Sequence, residues 1–173
     1  MESINNFIYL QLRFISNFGE SLLFMVPLAL LLSAFLLKIK KINEGLLVLV
    51  SLLSYPYSVI LKHLFQIHRP DTASYTDLIN KFSFPSSHVV VYTVFFGYLL
   101  YITLRNPGID KFVRFFIVLF SIYFISLVGV SRVVLGEHWV SDAIGGYLFG
   151  AVYLVILIYL DIRLHKSMTK NQK

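Results

Sequence analysis

The sequence contains no cysteine and few charged residues. The absence of cysteine excludes disulfide bonds and catalysis by a cysteine nucleophile. Charged residues make up 14% of the 173 residues and hydrophobic residues 57%, and the mean hydropathy is +0.75. This balance predicts an integral membrane protein with no separate soluble domain.

Two catalytic patterns are also missing from the sequence. There is no G-x-x-x-x-G-K-[ST] loop, which excludes nucleotide hydrolysis by that route. There is no H-E-x-x-H pattern, and the nine acidic residues are scattered, so we expect no metal site and no cofactor. We attribute the net charge of +6 to Lys and Arg beside membrane spans, and we expect no nucleic-acid partner.

Five apolar stretches, each close to the length that crosses a bilayer, predict an all-α membrane helix bundle. They cover about residues 21–37, 45–64, 89–104, 112–135 and 139–160. Before them, Ile4, Phe7, Ile8, Leu10, Phe14 and Ile15 form a loose apolar pattern in residues 1–20. That pattern predicts a helix lying in the membrane interface.

We expect residues 1–173 to form a single membrane-embedded domain that ends in a basic tail at 161–173. In the last apolar stretch, Gly146 and Gly150 are four residues apart. This spacing of small residues predicts close helix packing. The packing partner is either the bundle itself or a second copy of the chain, so the oligomeric state stays open.

Polar residues interrupt the apolar pattern at Ser131–Asp142, SRVVLGEHWVSD. We expect Arg132 in the last turn of one helix and Gly136 in a left-handed stop after it. A second helix is predicted to start near His138, so that Asp142 shares its face and orients the imidazole. A structural alternative is that Arg132 snorkels, His138 caps a helix and Asp142 is an ordinary interfacial acid.

Two further polar clusters are KHLFQIHRP, from Lys62 to Pro70, and FPSSH, from Phe84 to His88. Lys62 by itself would usually be a snorkelling anchor. Arg69 precedes a proline, which favours an extended backbone beyond the helix end. The Pro-Ser-Ser segment is a good helix start, and the free N–H groups of a helix start suit an anion.

Together the three clusters resemble the signature of the type 2 phosphatidic acid phosphatase superfamily. That signature has Lys, six residues and Arg-Pro, then Pro-Ser-Gly-His, then Ser-Arg, five residues, His, three residues and Asp. The first and third spacings fit fully. The single departure is Ser87, which stands where the family has Gly. Ser87 keeps the backbone N–H but suits a positive φ less well.

The resemblance implies a metal-independent phosphatase acting on a lipid phosphate or diphosphate, with its site inside residues 62–142. It implies that phosphate is bound by Lys62, Arg69, Arg132, the Ser86 hydroxyl and the amide of Ser87. It also implies that His138, oriented by Asp142, attacks phosphorus to form a phosphohistidine. His88 would protonate the departing oxygen and then activate water.

The predicted spans place the three clusters on one membrane face, because the clusters follow the second span, precede the third and lie between the fourth and the fifth. The opposite face receives Lys38, Lys40, Lys41, Arg105, Lys111, Arg114, Arg163, Lys166, Lys170 and Lys173. The positive-inside rule then predicts a cell-membrane protein with an outward-facing site and a cytoplasmic C-terminus.

The outward orientation favours undecaprenyl diphosphate as substrate, with phosphatidylglycerophosphate and phosphatidic acid as rivals. A small transporter is the alternative from another class, but it would place ionisable groups near mid-span in broken helices. A scaffold subunit is a third alternative, and in it the polar clusters would be dispensable.

Overall fold

The computed structural model of the chain describes residues 2–20, 22–71 and 81–170. These residues form seven α-helices: α1 (Glu2–Glu20), α2 (Leu22–Lys38), α3 (Ile42–Ser51), α4 (Ser54–Phe65), α5 (Ser87–Arg105), α6 (Lys111–Val134) and α7 (Val140–Lys170). An isolated bridge between His68 and Phe82 joins the two sides of the α4–α5 connection. The predicted all-helical membrane fold is confirmed.

Four segments of the described chain are long and apolar enough to cross a membrane. They are 42–65, which combines α3 and α4, then α5, α6, and 140–167 within α7. The predicted first span is the shorter helix α2. Its 17 residues rise about 26 Å, which is less than the roughly 30 Å of a hydrocarbon core.

The second predicted span is divided at Leu52 and Leu53 into α3 and α4. The predicted span lies within 42–65, and the break inside it was not predicted. Pro56 has no N–H to donate to the carbonyl of Leu52, and its ring would collide with that carbonyl in a continuous helix. The chain instead forms 3₁₀-type hydrogen bonds between residues i and i−3, including Leu53 N–H to Val50 O at 3.0 Å. Pro56 then lies in the first turn of α4, where a missing N–H costs little.

Helix α5 is the centre of the bundle. It contacts α1, α3, α4, α6 and α7, and Val89, Val90, Tyr92 and Val94 are completely buried. A helix that is apolar on all sides is one that is buried on all sides. The helix begins at Ser87, two residues before the predicted start, so His88 lies in its first turn.

The small residues of α7 let it approach α5 closely. A Cβ atom on Gly146 would lie 2.7 Å from Val89 Cβ, and one on Gly150 would lie 2.9 Å from Thr93 Cβ. The predicted close packing is confirmed, and its partner is α5 of the same chain.

The N-terminal helix α1 is amphipathic. Leu12, Ile15 and Ser16 are buried against the bundle, where α1 contacts α6, α2 and α5. Its other face exposes large apolar side chains, namely Phe7, Ile8, Tyr9, Leu10 and Phe14. A position in the membrane interface stays a prediction, and the side chain of Ile4 lies outside the described residues.

Connections between helices meet at the two ends of the bundle. At one end, the α4–α5 connection contacts the α6–α7 connection through Arg69 Nη1 and Glu137 O, 3.0 Å apart. At the other end, Arg105 at the end of α5 pairs with Asp161 of α7 at 2.5 Å. Helix α7 continues to Lys170, well beyond the predicted end at 160, and Lys173 lies outside the described residues.

We expect Gly150→Val to lower the unfolding free energy by about 1–3 kcal/mol, because the new side chain overpacks the α5–α7 contact. Ala151→Val is the matched control, since Ala151 is exposed in the same helical turn. Thermal unfolding of the two variants in detergent checks the prediction. Equal melting temperatures would show that α5 and α7 do not need this close approach.

Candidate active site

Lys62 lies in the last turn of α4 and is completely buried. Its ammonium group donates to Phe82 O at 2.9 Å and to Ser83 O at 3.0 Å. A lysine has three N–H donors, so these two bonds leave one for an anion. The carbonyl groups hold the ammonium in place without adding a negative charge.

His138 lies in the connection between α6 and α7. The prediction that it stands on a helix with Asp142 is wrong, because α7 begins at Val140. The predicted contact nevertheless forms, with His138 Nδ1 and Asp142 Oδ2 3.2 Å apart. Asp142 Oδ2 also accepts from the backbone N–H of Trp139 at 2.8 Å. An acid in the first turn that accepts from the residue ahead of the helix is half of a capping box.

Arg69 identifies the His138 nitrogen that carries a lone pair. Arg69 Nη1 is 3.3 Å from His138 Nε2. A guanidinium group can only donate, so Nε2 accepts and Nδ1 carries the hydrogen that faces Asp142. The nitrogen that carries the lone pair therefore lies beside a fixed positive charge.

Burial, followed by the positive charges of Lys62, Arg69 and Arg132, holds the pKa of His138 well below its ordinary value. Both causes disfavour the imidazolium form. The imidazole is therefore neutral at pH 7, which is the form that can attack phosphorus.

Arg132 lies in the last turn of α6 and is almost completely buried. Its guanidinium group donates to the hydroxyl of Ser16 on α1. Its carbonyl accepts from Glu137 N–H at 3.0 Å and from His138 N–H at 3.2 Å. Gly136 has a φ of 73°, which confirms the predicted left-handed stop. Arg132 thus provides a cation through its side chain and positions His138 through its carbonyl group.

The Ser86–His88 segment presents polar atoms to the same end of the bundle. Ser86 precedes α5 in an extended conformation, and its N–H donates to Asp142 O at 3.0 Å. Within the described residues, Ser86 Oγ, Ser87 Oγ and His88 Nε2 are buried without a hydrogen-bond partner. Leaving each such group unsatisfied costs roughly 1–3 kcal/mol. An anion at this helix start would satisfy them.

The Ser at position 87 fits its backbone. Ser87 is the first residue of α5, and the positive-φ non-glycine residues of the described chain are Lys40 and Gln66. The glycine of the family signature is therefore not required here for a left-handed conformation.

The side chain of His88 lies within electrostatic range of Arg132, Lys62, Arg69 and the imidazole of His138. The three sequence clusters thus converge, although they lie in different helices and connections. No group of three or more His, Asp or Glu side chains is arranged to hold a metal ion in residues 2–20, 22–71 and 81–170.

Sequence analysis missed two buried serines of this site. Ser83 donates to Asp142 Oδ1 at 3.3 Å and lies close to the carbonyl oxygens of Ile67 and His68. Its proximity to the Ser86–His88 cluster in the sequence was an available signal. Ser16 contacts Arg132 from α1, and no sequence pattern points to it.

Comparisons with known proteins identify the family of the chain. The family model of the PAP2 superfamily matches residues 43–165, more than half of the chain. Phosphatidylglycerophosphatase B of Bacillus subtilis (strain 168) is 27% identical over 158 residues, covering 90% of this chain and 76% of the relative.

A crystal structure of a transmembrane PAP2-type phosphatidylglycerolphosphate phosphatase from Bacillus subtilis has the same fold. The TM-score is 0.76 at 24% identity, with 91% of this chain and 78% of the other covered. The resemblance noted in the sequence is confirmed. The chain belongs to the PAP2 superfamily and is a membrane lipid phosphatase.

Proposed function

We propose that this phosphatase hydrolyses the terminal phosphate of a lipid monoester or diphosphate through a phosphohistidine on His138. The supporting observation is that His138 Nε2 lies 3.3 Å from Arg69 Nη1, in a buried site that holds the pKa of His138 below its ordinary value. Lys62 and Arg132 add positive charge to the same buried site. Phosphate esters resist attack because their oxygens are negatively charged, so a nucleophile among cations is what the reaction needs.

In the first step, the Nε2 lone pair of His138 forms a bond to phosphorus while the bond from phosphorus to the lipid oxygen breaks. His88 gives its proton to that oxygen as it leaves. Asp142 stabilises the charge that develops on the imidazole through Nδ1. Lys62, Arg69 and Arg132 bind the phosphoryl oxygens, together with Ser86 Oγ and the N–H of Ser87.

In the second step, His88 takes a proton from water, and the water oxygen attacks phosphorus. The bond between phosphorus and Nε2 breaks and returns its electron pair to His138. Inorganic phosphate leaves, and His88 holds the proton for the next cycle. Each bond change uses only side chains, substrate and water.

For the substrate we propose two lipids, each on its own observation. Phosphatidylglycerophosphate is favoured by the 27% identity with phosphatidylglycerophosphatase B over most of both chains. It presents a phosphate monoester at the membrane surface.

Undecaprenyl diphosphate is favoured by the distribution of charge. Basic residues gather at the end of the bundle opposite the site, including Lys38, Lys41, Arg105, Arg114 and Arg163. With that end in the cytoplasm, as the positive-inside rule requires, the site faces the exterior of the cell membrane. Hydrolysis of a polyprenyl diphosphate at that face would fit this orientation.

The direct experiment measures phosphate release by detergent-purified protein from undecaprenyl diphosphate, phosphatidylglycerophosphate and phosphatidic acid, with EDTA present. We expect release from at least one lipid, and we expect His138→Ala to lower kcat at least about a thousandfold because the nucleophile is lost. His165→Ala is the control, since His165 lies near the far end of α7.

The relative kcat/KM values identify the substrate. Near wild-type turnover by folded His138→Ala would contradict the assignment of the nucleophile. Absence of release from all three lipids would contradict the proposed substrates.

We expect kcat to fall on both sides of a pH optimum. As the pH falls, His138 gains a proton and loses its lone pair, and its lowered pKa places this limb below pH 6.5. In the substrate complex the phosphate anion offsets the positive charges around His88, so that His88 is protonated, and it loses this proton as the pH rises. A monoester and a diphosphate substrate assayed in parallel separate titration of the enzyme from that of the substrate. A flat profile from pH 5 to 9 with rate-limiting chemistry would contradict both roles.

A further inference from the structure

Helix α1 reaches the phosphate site although it lies outside residues 43–165, which the family model matches. Ser16 of α1 is 2% exposed and Arg132 is 1% exposed. The guanidinium group of Arg132 donates to Ser16 Oγ. A residue of the N-terminal helix therefore contacts a cation that the proposed reaction needs.

A second hydrogen bond holds α1 against the helix that carries His88. The hydroxyl of Tyr92 donates to the carbonyl oxygen of Ile15 at 2.6 Å, and both residues are completely buried. Tyr92 follows His88 by four residues in α5, so the two side chains share a helix face. This hydrogen bond holds Ile15, the neighbour of Ser16, in a fixed position relative to His88.

Aromatic packing holds α1 against α6 as well. The rings of Phe18 and Phe124 stack with centroids 5.1 Å apart. Farther along the same face, Tyr123 donates to Gln11 at 2.9 Å. Ser16 thus lies between contacts that hold α1 against α5 and α6.

The chemistry of the acceptor matters at this position. A buried guanidinium group needs acceptors for N–H groups that do not reach the substrate, because an unsatisfied buried donor is costly. A carboxylate would satisfy those groups but would also neutralise the charge and compete with phosphate. A serine hydroxyl accepts from the guanidinium group without adding a negative charge.

We propose that Ser16 is a positioning residue for Arg132, so that the N-terminal helix is part of the phosphate-binding site. The proposal rests on the proposed function, in which Arg132 binds the phosphoryl oxygens. Ser16 acts by holding the guanidinium group in the orientation that binds phosphate, which lowers the entropy lost on binding.

The test compares Ser16→Ala with Ser33→Ala. Ser33 is an equally buried serine on α2 whose hydroxyl has no hydrogen-bond partner among the described residues. We expect Ser16→Ala to lower kcat/KM roughly ten- to hundredfold, the size expected for a hydrogen bond to a charged group. We expect Ser33→Ala to stay within about twofold of the wild type. Equal activities of the two variants would overturn the proposal.

A loss of structure is separated from a loss of positioning by three further measurements. Ser16→Thr keeps the hydroxyl and should recover most of the activity, whereas Ser16→Cys, with a weak acceptor, should behave like Ser16→Ala. The inhibition constant of orthovanadate should rise in Ser16→Ala and not in Ser33→Ala. In an Arg132→Lys background, Ser16→Ala should cost little more, because coupled residues are not additive.

Several results would contradict the proposal even if one variant folds poorly. They are full activity of Ser16→Cys, an unchanged vanadate constant in Ser16→Ala, and a full additional loss in the Arg132→Lys background. If the wild-type protein releases phosphate and the kcat/KM values of Ser16→Ala and Ser33→Ala are equal, only the inference about Ser16 is contradicted. Wild-type protein that releases no phosphate from any of the three lipids would contradict the proposed function on which it rests.

Discussion

Lys62, Arg69 and Arg132 form described hydrogen bonds to neutral oxygens: two carbonyl groups for Lys62, the carbonyl of Glu137 for Arg69 and the hydroxyl of Ser16 for Arg132. Burying cations is costly, and oxygen dipoles repay only part of that cost. The attraction between these cations and an anion is strongest where water is excluded. Such a site stabilises an anionic phosphate group. Binding of the phosphate offsets the free-energy cost of burying the cations.

Asp142 connects two parts of the site that are distant in the sequence, the segment before α5 and the segment before α7. Its carboxylate contacts His138, the backbone N–H of Trp139 and the hydroxyl of Ser83, while its carbonyl accepts from Ser86 N–H. These contacts join the start of α7 to the segment that precedes α5. The close approach of those helices, which Gly146 permits against Val89, allows the contacts to form. Packing in the bundle and orientation of the His138 imidazole are therefore linked.

Local patterns in the sequence predicted the features that depend on local physics, such as Arg132 in a last helical turn and the left-handed Gly136. The division between α3 and α4 ahead of Pro56 could also have been predicted, because proline disrupts the helical turn that precedes it. The position of His138 ahead of α7 was missed because helix boundaries are the weakest part of such predictions. The contact of Ser16 with Arg132 spans 116 residues, and no local pattern encodes it.

The most direct measurement of the mechanism is to trap the phosphoenzyme. Protein is mixed with a lipid phosphate that carries a radioactive terminal phosphate and is quenched within milliseconds in alkali, where a phosphorus–nitrogen bond survives. Peptide mapping then locates the label. We expect label on the peptide that contains His138 and none in His138→Asn. Turnover without any protein-bound label, or label on a different residue, would contradict nucleophilic attack by His138.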